Sequence, residues 1–188
     1  VDAAVEVGGG AIYMRAGSTL KLYAGAITGN KSVTAGGAIM LASNAVFHMY
    51  GGEISHSGAR DEGDFIDGGA IYMSPASEAY IHGGTFRNNT GDHGGAIYAC
   101  GRTKLYIADG VFENNRSKQQ GGALYAIIGC DFRISGGSFT GNHATQDGGV
   151  LYAYGANTQI SGGKRRSTLD FARKRLRGAG AAVVFVML

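Results

Sequence analysis

GGAIYACGRTKLYIADGVFENNRSKQQGGALYA, residues 94–126, decides the fold, because the segment opens and closes on nearly the same hexapeptide with a second motif, VFENN, between. Outward from it, the hexapeptide recurs as GGAIYM from Gly9, GGAIM from Gly36, GGAIYM from Gly68 and GGVLYA from Gly148, so the starts lie 27, 32, 26, 27 and 27 residues apart. The second motif recurs as AITGN from Ala26, EISHS from Glu53, TFRNN from Thr85 and SFTGN from Ser138. From the first glycine of each unit to Ile27, Ile54, Phe86, Phe112 or Phe139 the offset is always 18. Self-similarity at a fixed period of this length is the mark of a solenoid. A constant internal offset means the two motifs share one rigid geometry, with length changes confined to a turn.

Within a unit the apolar runs are short, as in AIYM, then LKLYAG from Leu20, then AITGN. Helical periodicity is missing, and 34 glycines against the single Pro75 would each cost a helix roughly 1 kcal/mol relative to alanine. The expected fold is all-β: a right-handed, single-stranded parallel β-helix of about five to six coils and about 27 residues per coil, with three strands in each. Stacking then places Ile12, Ile39, Ile71, Ile97, Leu124 and Leu151 in one internal ladder, and Ile27, Ile54, Phe86, Phe112 and Phe139 in a second. Asn30, Asn89, Asn115 and Asn142 stand three residues beyond the second ladder, and Ser57 interrupts their series. Their amides are expected to bond along the rod, and asparagine there tolerates a left-handed turn. The glycine pairs suit positive φ or close coil contact. The one long unit carries Gly58 to Asp67, in which Asp61, Glu62, Asp64 and Asp67 predict a protruding acidic loop that could be cut to a five-residue turn without loss of folding.

The GGAI and FxxN tetrapeptides, at Gly9, Gly36, Gly68 and Gly94 and at Phe86, Phe112 and Phe139, resemble the signature of the chlamydial polymorphic outer membrane protein repeats. The resemblance spans about residues 8–163, with GGAL, GGVL, IxxN and IxxS as variants. It implies a β-helical passenger domain of an autotransporter-like surface protein, at the cell surface or outer membrane or secreted, used in adhesion to host cells or in self-assembly. The family's C-terminal translocating barrel has no counterpart here. With no initiator Met and no tripartite leader, the chain reads as part of something longer.

The composition divides at residue 163, giving a repeat domain over 1–163 and an atypical tail over 164–188. Residues 1–163 hold 10 basic and 13 acidic side chains, the remainder seven basic and one acidic, so a charge of −3 is followed by +6. The tail fits a cap over the rod's end, a truncated or out-of-frame end, or a membrane- or anion-binding helix; its apolar run AAVVFVML is too short to span a bilayer.

Residues that could carry chemistry are few. Parallel β-helices also host polysaccharide lyases and glycoside hydrolases, which need paired carboxylates, but here the acidic residues cluster in the long turn and suit a solvated loop better than a calcium site or an active centre. His48, His56, His82, His93 and His143 show no metal-ligand spacing and are expected as scattered surface residues, so no metal and no cofactor is implied. Cys100 and Cys130, at offsets of six and nine from their glycines, are out of register and expected as separate thiols. Tyr13, Tyr72, Tyr98, Tyr125 and Tyr152 directly follow the aliphatic ladder, so strand alternation turns them outward, with Met40 filling the second unit's place. Stacking between coils accounts for such a stripe without a ligand, but Tyr72, Tyr98, Tyr125 and Tyr152 are also the candidate partner-binding residues. No basic stripe interleaved with aromatics points to nucleic acid. The expected function is therefore a non-catalytic surface module whose partner is a host or neighbouring cell-surface protein or glycan, with self-association as a further expectation and no catalytic residue; the alternative is a polysaccharide-cleaving β-helix enzyme.

Overall fold

The computed structural model describes residues 8–59 and 63–161, so the tail over 164–188 lies outside the described residues. The described chain is a parallel β-solenoid with no helix among the described residues.

Three sheets run along the rod. The first is built from Ile12–Met14, Ile39–Leu41, Ile71–Met73, Ile97–Ala99, Leu124–Ile127 and Leu151–Tyr154, all parallel. The second holds Thr19–Leu22, Val46–Met49, Glu78–Ile81, Lys104–Ile107, Asp131–Ile134 and Asn157–Ile160, and the third Ala26–Thr28, Glu53–Ser55, Thr85–Arg87, Val111–Glu113 and Ser138–Thr140. The register is the one the repeat demands: Ile12 pairs with Ile39, Ile39 with Ile71, Ile71 with Ile97, Ile97 with Leu124 and Leu124 with Leu151. Ile27, Ile54, Phe86, Phe112 and Phe139 align in the same way. Both ladders point into one continuous core, and Phe86, Phe112 and Phe139 stack at ring spacings of 4.7 and 4.8 Å.

The first five coils each have more than the three expected strands. Lys31–Ser32 with Gly58–Ala59, and Thr90–Gly91 with Arg116–Ser117 and His143–Ala144, make a short fourth ladder. Runs of two residues in polar sequence carry no apolar alternation, so only hydrogen bonding to the next coil reveals them. The ladder breaks after Gly58–Ala59, at the coil that holds the long turn.

The motif residues have distinct duties. Gly36, Gly68, Gly94, Gly121 and Gly148 lie at φ between +59° and +71°. The second glycine of the pair is needed for packing: a Cβ on Gly69 would sit 2.2 Å from the carbonyl oxygen of Gly95, and one on Gly95 2.2 Å from that of Gly122. Asn89 and Asn115 are fully buried and form the expected amide ladder with Asn142. The left-handed residue, however, is the one before the ladder position, namely Gly29, Asn88, Asn114 and Gly141 before an asparagine and His56 before Ser57. The turn is thus made one position earlier than expected, which frees the asparagine to direct its amide into the rod.

The long turn also differs from expectation. Gly58 and Ala59 belong to a strand, and Ile66 is fully buried, its N–H donating to the Asp92 carboxylate at 2.7 Å and its carbonyl accepting from the Asp92 N–H at 2.6 Å. The turn is stitched back to the next coil, so cutting all of Gly58 to Asp67 would remove a short strand and a buried, anchored residue. Asp61 and Glu62 lie outside the described residues.

Candidate functional site

The first sheet's outer face carries the tyrosine stripe. Strand alternation sends Ile71, Ile97, Leu124 and Leu151 inward and the residues after them outward, and the register stacks Tyr72 on Tyr98, Tyr98 on Tyr125 and Tyr125 on Tyr152, with centroids 5.1 Å apart and planes within about 10°. All four are half-buried. Each inner ring has both faces covered by its neighbours, so Tyr98 and Tyr125 present edges and hydroxyls instead of open ring faces. Burial pushes the Tyr125 phenol up to about 12, and burial likewise raises Tyr72 and Tyr98, so these three are neutral hydroxyl donors at physiological pH.

The long turn delivers its side chains to the edge of this stripe. Asp67 precedes the Gly68 pair as His93 precedes the Gly94 pair, and Asp67 Oδ1 lies 2.8 Å from His93 Nδ1. The His93 ring packs 4.7 Å from that of Tyr125, and Phe65, 53% exposed, meets His93 edge-on at 5.7 Å. Burial raises the Asp67 carboxyl above its ordinary range, against the opposing pull of the His93 hydrogen bond. Asp92 is committed to the backbone of Ile66 and lies 3.8 Å from Lys118. Cys100 borders the stripe, its Sγ 3.9 Å from the Tyr72 hydroxyl, and burial raises its pKa, which disfavours the reactive thiolate. Cys100 and Cys130 are separate free thiols. The break in the repeat and the tyrosine stripe, two unrelated features of the sequence, therefore form one site.

A second array was not visible as a motif. On the outer face of the second sheet Tyr23 stacks on Tyr50 at 4.9 Å and Tyr50 on His82 at 4.6 Å, while His48 lies on Tyr80 at 4.9 Å. Arg133 sits over the Tyr106 ring at 4.9 Å, beside a shallow pocket lined by Ile107, Ser135 and Gln159. Histidines expected to scatter are here paired, with His48 Nδ1 3.4 Å from His82 Nε2. Burial, then His82 and Lys21, lower the His48 pKa, against a weaker opposite pull from Glu78. The missed signal was again an offset: Lys21, His48, Tyr80, Tyr106 and Arg133 each stand 12 residues after the first glycine of their unit.

Among the described residues no group of three or more His, Cys, Asp or Glu is placed to hold a metal ion, and no helix is long and apolar enough to cross a membrane. Comparison with curated proteins and with solved structures finds no match. A family model, the Chlamydia polymorphic membrane protein repeat, matches residues 83–100, 109–127 and 136–154. Each match begins just before a third-sheet strand, passes through the ladder asparagine and the glycine pair, and ends at or beside a first-sheet strand carrying Tyr98, Tyr125 or Tyr152. The fold and the repeat together fit a surface β-helical module. Three consecutive segments of this chain match the Chlamydia polymorphic membrane protein repeat, and each is the joint by which one coil of the solenoid passes into the next.

Proposed function

We propose that this chain is a non-catalytic adhesion module, displayed at the cell surface or outer membrane or secreted, that binds a host or neighbouring cell-surface protein or glycan through Tyr72, Tyr98, Tyr125 and Tyr152. The observation that carries this reading is the column of stacked, outward tyrosines set at one coil spacing and bordered by Phe65 and the His93–Asp67 pair. A rigid row of phenol edges loses little side-chain entropy on binding and offers repeated donors, which suits an extended partner. Three of the four, Tyr98, Tyr125 and Tyr152, also lie inside the segments that match a membrane-protein repeat.

The second reading is a polysaccharide-cleaving enzyme, favoured by the imidazole that Asp67 orients in the only over-long coil. One experiment separates the two. The purified chain is applied to arrays of glycans and of cell-surface proteins, beside a variant carrying Tyr98→Phe and Tyr125→Phe, which keeps the stacked rings and removes two hydroxyls. Binding that weakens at least tenfold in this variant, with strand content unchanged, is the expected result. Chain cleavage of a bound polysaccharide that disappears with His93→Gln would replace the adhesion reading with the enzymatic one.

A further inference from the structure

The second sheet's outer face lies opposite in role to the tyrosine column and largely outside the matched segments. Its central feature is two imidazoles delivered by successive coils. His48 is the third residue of Val46–Met49, and His82 follows directly after Glu78–Ile81, its N–H donating to the Met49 carbonyl at 2.8 Å. Because Tyr80 is the register partner of His48, His82 stands diagonally across from it, on the same side of the sheet. We propose that His48 Nδ1 and His82 Nε2 form a two-imidazole site for a borderline divalent transition-metal ion of the Zn2+, Ni2+ or Cu2+ class.

Distance is the first argument. Two nitrogens bound to one such ion at about 2.0–2.1 Å with a tetrahedral angle are roughly 3.3–3.4 Å apart, and here they are 3.4 Å apart before any ion arrives. The two ring planes lie 6° apart with centroids 5.7 Å apart, so the nitrogens face one another and an ion between them sits off the line joining them; each ring turns towards it by roughly 30°.

Preorganisation is the second. The His82 ring is held against Tyr50 with planes 6° apart, and His48 against Tyr80 with planes 11° apart. The strands beneath them are fixed by the sheet, so the entropy of collecting two ligands is already spent in folding.

The charged neighbours set the strength. Lys21 occupies the His48 position one coil earlier and opposes a cation, while Glu78 favours one but is shared with Tyr80 and Lys104. Two protein ligands leave the other coordination positions to water. The site is therefore selective for imidazole-seeking ions over Mg2+ and Ca2+, which want oxygen cages.

The test is titration of the full chain with Zn2+ and Ni2+, and with Mg2+ and Ca2+ for comparison, by calorimetry and by NMR of the imidazole resonances. The Cys100→Ser variant serves as the parent, to remove the one part-exposed thiol. Saturable binding of one ion, with shifts confined to His48 and His82, is expected, together with a loss of at least tenfold in affinity on either His48→Gln or His82→Gln and no change on His143→Gln. Since the NMR assignment is read on the parent protein, a variant that fails to fold does not obscure the result. No saturable binding, binding that survives both substitutions, or shifts at His56, His93 or His143 instead would overturn the proposal.

Discussion

Asn115 shows what a single position contributes to the rod. Its Nδ2 donates to the Phe86 carbonyl at 2.9 Å and to Asn142 Oδ1 at 3.0 Å, while its own Oδ1 accepts from the N–H and the Nδ2 of Asn89. Truncation to alanine orphans a buried carbonyl and a buried N–H between coils, and each such group costs about 1–3 kcal/mol. Asn115→Ala should therefore lower stability by about 3 kcal/mol in chemical denaturation. Asn30→Ala should change it by under about 0.5 kcal/mol, because the Asn30 amide bonds only to the nearby Thr28 carbonyl and is exposed to solvent. Equal effects at the two sites would sink the ladder as a source of stability. The ladder's members were legible from spacing, but the residue that turns the chain was not assigned correctly. The Gly, His, Asn, Asn, Gly series at positions 29, 56, 88, 114 and 141 is itself the left-handed signature, written one residue ahead of the more regular asparagines.

At the scale of one element, the over-long turn is anchored at its far end. Ile66 is fully buried and locked to Asp92 through both backbone groups, so Ile66→Ala should cost about 2–4 kcal/mol, read as a lower denaturation midpoint. Removal of residues 60–64 brings the coil from 32 residues to 27 while keeping Phe65, Ile66 and Asp67, and should leave the midpoint nearly unchanged. A large loss from that deletion would show that residues 60–64 are needed for stability as well. The excess length was legible as an insertion. That its far end returns to bury Ile66 and aim Asp67 at His93 was not, since neither contact has a local sequence pattern and the partners lie a full coil away.

Across the whole molecule, proton linkage gives a two-sided limit on stability. The His48 pKa lies below 6.5, so the unfolded chain takes up that proton first and stability falls as pH drops below about 6.5. Hydrogen bonds lower Glu53, Glu78 and Asp131 below their ordinary values of 4.5, 4.5 and 3.8; their contribution is present above those values and is lost as pH falls through the folded values. Asp67, raised by burial, acts in the opposite sense between 3.8 and its folded value. On the alkaline side, Tyr80 and Tyr125 are raised from 10.0 to about 12, so their contribution is complete below pH 10 and is lost as pH rises through 12. Burial also raises the Cys100 and Cys130 thiols above 9.0, so the melting temperature should be highest near neutrality, decline below about pH 6.5 and again above about pH 9, with phenolate absorbance appearing together with unfolding at higher pH. Phenolate formation from Tyr125 well below pH 12 in the folded rod would contradict the half-buried column.

The sequence by itself determined the period, the parallel β-solenoid, the inward ladders through Ile97 and Phe112, and the outward tyrosine column. Each follows from stacking equal intervals, and equal intervals are printed in the chain. Only the tertiary structure decided the short fourth strands, the anchoring of Ile66, the Asp67–His93 pair beside Tyr125 and the meeting of His48 with His82. The physical reason is that a solenoid converts intervals into neighbours along its axis, whereas contacts made across that axis depend on how far each turn bulges and where it closes, and no spacing records that distance.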